Sequence, residues 1–591
     1  MAHQSWSVLD APNPTYLWTQ LLVEELVRNG VHTFFVAPGS RSTPLTVAIA
    51  RHPEAESVLH VDERGAAFAA LGVGRAARGP AAWVTTSGTA VANGLPAAVE
   101  ASVDGVPMLL LTADRPPELR DTGANQTIDQ VKIFGDYVRW QADVPPPSDE
   151  VDPAYVLTTA DQALHQTLRA PAGPVHVNCM FRKPLEPVET EASVAVPTAV
   201  DAWARGTEPY THYPTPAPSP PGPEVDALAE ALRGTEHGLV VAGRLDSTAA
   251  ADASQRLAMH LGWPLIPDLT SRLRWGGGKG PGQVPYGDLV LTSAAFREGH
   301  PPRAVLQVGG RFASKRLRLF LRDSAPEVWA VVRPDPSRID PDHRVTHHVE
   351  AAVPAAVDAL VARLEEGPRG TTWRDDWAGA SERAGAVVQA HVQESDALTD
   401  PLVAALLTEE MPSEHALVAA SSMPVRDLNR HAAPGGTGGP AFANRGASGI
   451  DGTVATAAGI AEGRDGPVTL LIGDLALQHD LNGLALLQDR PVVAIVVNND
   501  GGGIFHFLPI REHDEFDPYF TTPHGHDFEH AAALFDLPYH RPDSPSALRS
   551  AYAQACRSGE SALIEVQTDR ATNRQVHDRL EASVERAVEE G

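Results

Sequence analysis

The sequence predicts an α/β protein made of three doubly wound domains with mainly parallel sheets. Three observations carry that prediction. Short apolar runs rich in Val, Leu and Ile recur along the 591 residues, each closing near Gly, Ser, Asp or Asn. Ala-rich segments with helical spacing lie between them. Two Pro- and Gly-marked breaks divide the chain. Unalternating apolar runs suit strands buried on both faces, as in parallel sheets. Their alternation with helices suits doubly wound domains.

In order, the predicted strands are His32–Val36, Ala82–Thr85, Met108–Thr112, Val175–Asn178, Leu239–Ala242, Val305–Val308, Val328–Val332, Ala416–Ala419, Val468–Ile472 and Val492–Val497. A further strand ends at Val58–Val61. Helices are predicted over Ala66–Arg78 and Val91–Ser102. Tyr210–Glu224 (YTHYPTPAPSPPGPE) can continue neither a helix nor a central strand and reads as a semi-rigid linker. A softer break falls at Glu365–Thr372. The domains expected are 1–190, 220–365 and 380–591, in line with about 150 residues per domain.

Composition narrows the function. Hydrophobic residues are 43 % and charged residues 21 %, which suits a folded core. The net charge of −28 argues against a nucleic-acid binder and against docking on an anionic membrane. No apolar run approaches the roughly 18 residues of a spanning helix. The first residues lack the basic and apolar regions of a secretory signal, so a cytoplasmic location is expected. Two cysteines, Cys179 and Cys556, exclude a disulfide scaffold and a Cys-built zinc or iron–sulfur site. Of the 47 cations only Lys132, Lys183, Lys279 and Lys315 are lysines. An acidic, Lys-poor chain fits a high-salt cytoplasm; GC-rich codon usage gives the same bias.

Three motifs carry chemistry. Val468–Ile472 runs into Gly473-Asp474-Leu475, and Val492–Val497 into Asn498-Asn499-Asp500-Gly501-Gly502-Gly503. A carboxylate from Asp474, an amide oxygen from Asn499 and a backbone carbonyl of Gly501 would suit Mg²⁺ shared with phosphate oxygens. The glycines admit a diphosphate close to the backbone. Ordinary βα turns also use Gly-Asp and Asn-Gly. The second motif, Val61-Asp62-Glu63-Arg64-Gly65, opens a helix with acids. They serve either the helix dipole or, at Glu63, proton transfer by a buried carboxyl. The third, Ala37-Pro38-Gly39-Ser40-Arg41-Ser42, offers a guanidinium at a strand end. Arg115, Arg426, Arg445 and Lys315 occupy comparable loops. In so acidic a chain, a substrate with several carboxylates would need such a local cationic cluster.

Together these motifs resemble the thiamine-diphosphate-dependent enzymes of the pyruvate-decarboxylase type. That family's metal motif is usually Gly-Asp-Gly followed by Asn-Asn, and Leu475 departs from it. The segments APGSRSTPL (37–45), VDERGAAFAALG (61–72), LLTADRPPELRDTGANQTIDQ (110–130), ANRGASGIDG (443–452), GDLALQHDLNGLALL (473–487) and VVNNDGGGIFHFLP (496–509) are similar to one branch. It is the menaquinone-pathway branch that joins 2-oxoglutarate to isochorismate. The resemblance covers about residues 16 to 570 and is weakest in the middle, where GGRFASKRLRLF (309–320) anchors it.

The resemblance implies a pyrimidine-binding first domain, a central α/β domain and a third domain binding diphosphate and Mg²⁺, with Mn²⁺ as the alternative ion. It implies that Glu63, in an apolar setting, bonds the cofactor's pyrimidine. Gly473, Asp474, Asn499 and Gly501 would hold the diphosphate and metal, and Ile450 would wedge the cofactor into its bent form. Ser40, Arg41, Arg115, Gln126, Lys315, Ser422, Arg426 and Arg445 would bind substrate carboxylates and hydroxyls. Ile504, Phe505 and Leu508 would wall the ring. A homo-oligomer, dimer or tetramer, with shared active sites is implied. The alternatives are another 2-oxoacid decarboxylase or carboligase of this cofactor class, and a non-catalytic ligand-binding relative.

Overall fold

The computed structural model describes residues 6–77, 79–191, 195–214, 218–275, 280–367, 371–434 and 438–590. Parts of both predicted breaks, 215–217 and 368–370, lie outside the described residues, as does Arg78. The chain forms two compact units. Unit 1 comprises Met1–Thr215, Gly446–Asp465 and Asp480–Arg490; unit 2 comprises Pro216–Arg445, Gly466–His479 and Pro491–Gly591.

Unit 1 holds one six-stranded sheet of β1 (Thr33–Val36), β2 (Glu56–Leu59), β3 (Ala82–Thr85), β4 (Met108–Asp114), β5 (Trp140–Val144) and β6 (Pro174–Met180). Their spatial order is β2-β1-β3-β4-β6-β5. Every pairing is parallel, with Val36 opposite Val84 across β1 and β3. The strand order reverses between β1 and β3, which opens a crevice at their carboxyl ends where ligands of such sheets bind.

Unit 2 holds two further parallel sheets. The first contains β7 (Gly238–Ala242), β8 (Leu265–Pro267), β9 (Ala304–Val308), β10 (Val328–Arg333) and β11 (His347–Glu350), in the order β11-β10-β9-β7-β8. The second contains β12 (Ala416–Ala419), β13 (Ala441–Phe442), β14 (Val468–Gly473), β15 (Val492–Asn498), β16 (Tyr539–His540) and β17 (Ala562–Gln567). Its order is β13-β12-β14-β15-β17-β16, so its switch point lies between β12 and β14. One hydrophobic core serves both sheets, joining Leu239 and Val305 of the first to Leu417 and Ile495 of the second.

The predicted Val91–Ser102 helix is interrupted. One turn covers Thr89–Ala92 and a second helix covers Leu95–Asp104. Pro96 has no N–H to continue the first ladder, and Gly94 lies against the Trp83 ring, where a Cβ would overlap. The other predicted helix begins earlier than its Ala-rich stretch, at Glu63, and is described to Ala77. Within unit 1 it packs on the helix Thr453–Arg464 at backbone distance. A Cβ on Gly459 would stand 2.0 Å from the Ala69 carbonyl oxygen, and one on Gly72 would stand 2.4 Å from that of Thr456.

Candidate active site

In unit 2, β14 and β15 run side by side with Gly473 opposite Val497, so Asp474 and Asn499 leave the sheet at the same end. Asp474 is 2 % exposed. Its Oδ1 accepts from the Leu475 N–H (2.7 Å), and its Oδ2 accepts from the Gly501 N–H (2.8 Å). Burial pushes its carboxyl upward, while these N–H groups oppose the shift. His524 Nε2 stands 3.2 Å from the same Oδ2. Because His524 Nδ1 accepts from the His526 N–H (3.0 Å), Nε2 carries the proton.

The glycine turn is held from below. Gly501 has φ +128, and a Cβ there would stand 1.9 Å from the Thr521 carbonyl oxygen. The Gly502 N–H donates to that oxygen at 2.6 Å. Asp500 turns away and accepts from the N–H groups of His524 (2.8 Å) and Gly525 (2.7 Å). Asn499 Oδ1 is buried without a hydrogen-bond partner. A buried carbonyl oxygen left over beside a buried carboxylate, with open space around Gly473, fits a hard cation and the phosphate oxygens it carries. Sequence reasoning missed His524 and Thr521. Their signal, a His-Gly-His loop 25 residues beyond Asn499, is legible only once the fold closes it over the turn.

At the β12 end of this sheet, Ser422 adopts φ +72 and starts the helix Met423–His431. Arg426 donates to the Ser422 carbonyl. Burial, and then Arg445 and Arg430, lower the Arg426 pKa. Lys315 is exposed at the start of the helix Lys315–Ser324, capped by Ser314. It lines an open cavity of about 720 Å³ with Arg297, Arg316 and Arg430. The structure thus groups Lys315 with Arg430, one turn beyond Arg426. Phe505 packs edge-on against Phe520 with ring centroids 5.4 Å apart. Ile504 is half-buried and Leu508 exposed.

In unit 1, the β1–β3 crevice is lined by cations. The Arg41 N–H donates to Thr86 Oγ1 (3.2 Å), and its guanidinium donates to the Phe181 carbonyl (2.7 Å). Arg115 donates to Ser87 Oγ, and Gln126 donates from Nε2 to the Ser87 carbonyl (2.9 Å). Both arginines are buried, and both pKa values are lowered, chiefly by desolvation; Arg115 adds to the effect on Arg41. The neighbouring Asp114 is engaged by Arg120 at 2.6 Å. Two buried guanidiniums with so little counter-charge suit an incoming anion. Ser40 lies exposed on the same loop.

Glu63 differs from expectation. It is half-buried, and its Oε2 accepts from Asn93 Nδ2 at 3.2 Å. It is the first residue of its helix, where the side chain stands outside the packed face. Asp62 does the capping, accepting from the Arg64 N–H at 3.0 Å. Two apolar neighbours are open to solvent, Leu59 (68 % exposed) and Val61 (73 %). Ile450 is half-buried two residues before Gly452, which has φ +62 and lies against the Phe68 ring.

Family models match this architecture along the chain. Residues 18–133 match the N-terminal TPP-binding domain of thiamine pyrophosphate enzymes, 196–418 their middle domain and 414–566 their C-terminal TPP-binding domain. A solved chain from Mycobacterium smegmatis, provisionally named a thiamin diphosphate-dependent enzyme, superposes with a TM-score of 0.70. It has 20 % identity and covers 95 % of this chain and 100 % of its own. Fold and site together define a thiamine-diphosphate-dependent enzyme. The chain is 98 % identical to a 2-succinyl-5-enolpyruvyl-6-hydroxy-3-cyclohexene-1-carboxylate synthase of Salinibacter ruber over the full length of both. It is 55 % identical to the synthase of Rubrobacter xylanophilus, over 96 % of this chain and 98 % of that one. The chain belongs to the 2-succinyl-5-enolpyruvyl-6-hydroxy-3-cyclohexene-1-carboxylate synthase family, transferases of menaquinone biosynthesis that form a C–C bond.

Proposed function

We propose that the enzyme transfers the succinyl portion of 2-oxoglutarate, with loss of CO2, to the ring of isochorismate. The observation that carries this reading is the set of sparsely countered arginines at both switch points: the buried Arg41 and Arg115 in unit 1, and the half-buried Arg426 near Arg445 in unit 2. In a chain of net charge −28, such cations at strand ends supply the local positive charge that a substrate with several carboxylates needs.

Thiamine diphosphate, when bound, supplies the electron sink for decarboxylation and makes the acyl carbon nucleophilic. Asp474, Asn499 and the Gly501 carbonyl would hold Mg²⁺ (or Mn²⁺) together with the diphosphate, which Gly473 would admit. Glu63, its carboxylate fixed by Asn93, would hydrogen-bond the cofactor's pyrimidine and hold a proton there. Ile450 would support the cofactor from beneath. Ser40, Arg41, Arg115, Gln126, Lys315, Ser422, Arg426 and Arg445 orient the two dianionic substrates. Ile504, Phe505 and Leu508 wall the ring and keep water from the reacting carbon.

The division is a pyrimidine-binding domain (1–190), a central domain (220–365) and a diphosphate domain (380–591). The working form is a homo-oligomer with shared sites; the exposed Leu59 and Val61 beside Glu63 support a partner surface there. No helix among the described residues is long and apolar enough to cross a membrane, and the proposed location is cytoplasmic.

The test is CO2 release from 2-oxoglutarate with thiamine diphosphate and Mg²⁺, with and without isochorismate. Release dependent on isochorismate, with a coupled product by mass, supports the reading. Release indifferent to isochorismate identifies a plain decarboxylase.

A further inference from the structure

Away from the cofactor turn, unit 2 contains a buried cluster that the proposed reaction does not use. Asp427 and His431 are four residues apart on the helix Met423–His431 and so share one face. His577 comes from the helix Arg570–Glu589. All three residues are 1–2 % exposed. Their candidate ligand atoms, a carboxylate oxygen and two ring nitrogens, lie within 4.8 Å of one another.

The cluster is poorly satisfied by the protein. Asp427 Oδ1 and both ring nitrogens of His431 and of His577 have no hydrogen-bond partner. The approach of His577 Nε2 to Asp427 Oδ1, at 3.2 Å, is an ion-pair contact without hydrogen-bond alignment. The two imidazoles lie at 60° with centroids 5.4 Å apart, and Phe507 closes on His577 edge-on at 5.0 Å. Buried polar atoms are normally paired, and three residues with unpaired buried atoms, one candidate ligand atom from each lying within 4.8 Å of the others, call for an explanation.

The chemistry of the donors supplies one. Two imidazoles and a carboxylate offer nitrogen and oxygen ligands that suit a first-row divalent ion. The surroundings of His431 favour its neutral ring. His431 faces Arg274 and Arg430, as well as His577 and His391, and burial opposes its protonation most of all. Asp427 supplies a carboxylate, and Asp400 lies within electrostatic reach of Asp427 and His577, its own carboxyl pushed up to about 7 by burial and then by Asp427. Arg430 is itself held by Asp288 (3.1 Å) and Glu581 (3.8 Å), and Arg274 donates to the Asn429 carbonyl (2.8 Å). Ligands of a tetrahedral zinc stand roughly 3.3 Å apart, given Zn–N bonds of about 2.0–2.1 Å.

We propose that Asp427, His431 and His577 form a three-residue site for a divalent transition-metal ion, zinc being among the ions that the donor set matches. The ion ties the helix Met423–His431, which carries Arg426 one residue before Asp427, to the helix Arg570–Glu589. The site is distinct from the Asp474–Asn499 turn and does not depend on the substrate reading.

The test uses the full-length protein saturated with thiamine diphosphate and Mg²⁺, so that the diphosphate site is filled. Transition metals are stripped with a chelator, and Co²⁺ and then Zn²⁺ are titrated in. The expected result is one equivalent of Co²⁺ with a visible d–d band, displaced by Zn²⁺, and a higher Tm in Zn²⁺ than after chelation. His431→Ala and His577→Ala are each expected to weaken binding about tenfold or more. If either fails to fold, Asp427→Asn keeps the side-chain shape and is expected to lose the same affinity with an unchanged circular-dichroism spectrum. Absence of stoichiometric Co²⁺ and Zn²⁺ binding overturns the proposal, as does binding that survives these substitutions.

Discussion

Asn499 and Glu63 sit at turns where the local sequence is unremarkable as secondary structure and informative as chemistry. Asn499 keeps a buried carbonyl oxygen free of partners, so Asn499→Ala is expected to weaken Mg²⁺-dependent cofactor binding about tenfold or more, read by titrating thiamine diphosphate at fixed Mg²⁺. Glu63→Gln keeps the acceptor for Asn93 and loses the proton. Turnover is expected to fall about 100-fold or more with an unchanged circular-dichroism spectrum, and near-normal turnover would remove Glu63 from the mechanism. A third prediction concerns His176, buried in β6 and bonded to Thr112 Oγ1 at 2.7 Å. Burial lowers its pKa from 6.5 to about 4. Between those values the unfolded chain binds the proton and the folded one does not, so stability falls as pH drops from 6.5 toward 4. His176→Gln is expected to flatten that part of the urea-midpoint profile by about 3 kcal/mol; an unchanged slope would show that another group controls it. Residue identity at the turns was legible because Asp, Asn and Gly do particular work there. The half-exposed setting of Glu63 was not, because apolar neighbours in sequence (Val61, Ala66, Phe68) point to different sides of the helix start.

The same distinction holds for elements. Each of the ten apolar runs picked out as strands is an interior strand, covered on both faces. The edge strands β5 and β11 escaped because an edge has one partner and tolerates polar residues such as those of WQADV or HHVE, and the edge strands β8, β13 and β16 because two or three residues are too short to stand out as a run. The central β17 (ALIEVQ) was also passed over; its buried Glu565 breaks the apolar run and is taken up by Asn498, Tyr539 and the Phe528 N–H. Nor could spacing reveal that the helices Glu63–Ala77 and Thr453–Arg464, nearly 400 residues apart in order, meet through glycines. That contact is rigid because it is backbone on backbone. Gly459→Ala places a methyl 2.0 Å from the Ala69 carbonyl oxygen. The expected cost is about 3 kcal/mol, read as a lower urea midpoint with unchanged m-value; a neutral result would mean that the helices can separate freely.

At the scale of the molecule, charge and topology decide. The net charge of −28 on 591 residues sets the surface groups against one another. Raising KCl from about 0.1 M to about 1 M shortens the screening length from roughly 10 to 3 Å. The Tm is expected to rise, and a fall would mean that specific ion pairs outweigh the general repulsion. The α/β class and the parallel sheets were legible from the repeating pattern of runs and turns. The return of 446–465 and 480–490 to unit 1 was not, since nothing in composition marks where a chain changes allegiance.

That return makes the two units inseparable in a practical sense. The backbone crosses between them five times, so no single nick yields both as whole pieces. A gene cut after Thr215 would produce an amino-terminal fragment whose Glu63–Ala77 helix has lost its glycine-lined mate, and a carboxy-terminal fragment carrying that mate with nothing to receive it. Two such halves could recover the native arrangement only by complementation, each finishing the other's core as it folds.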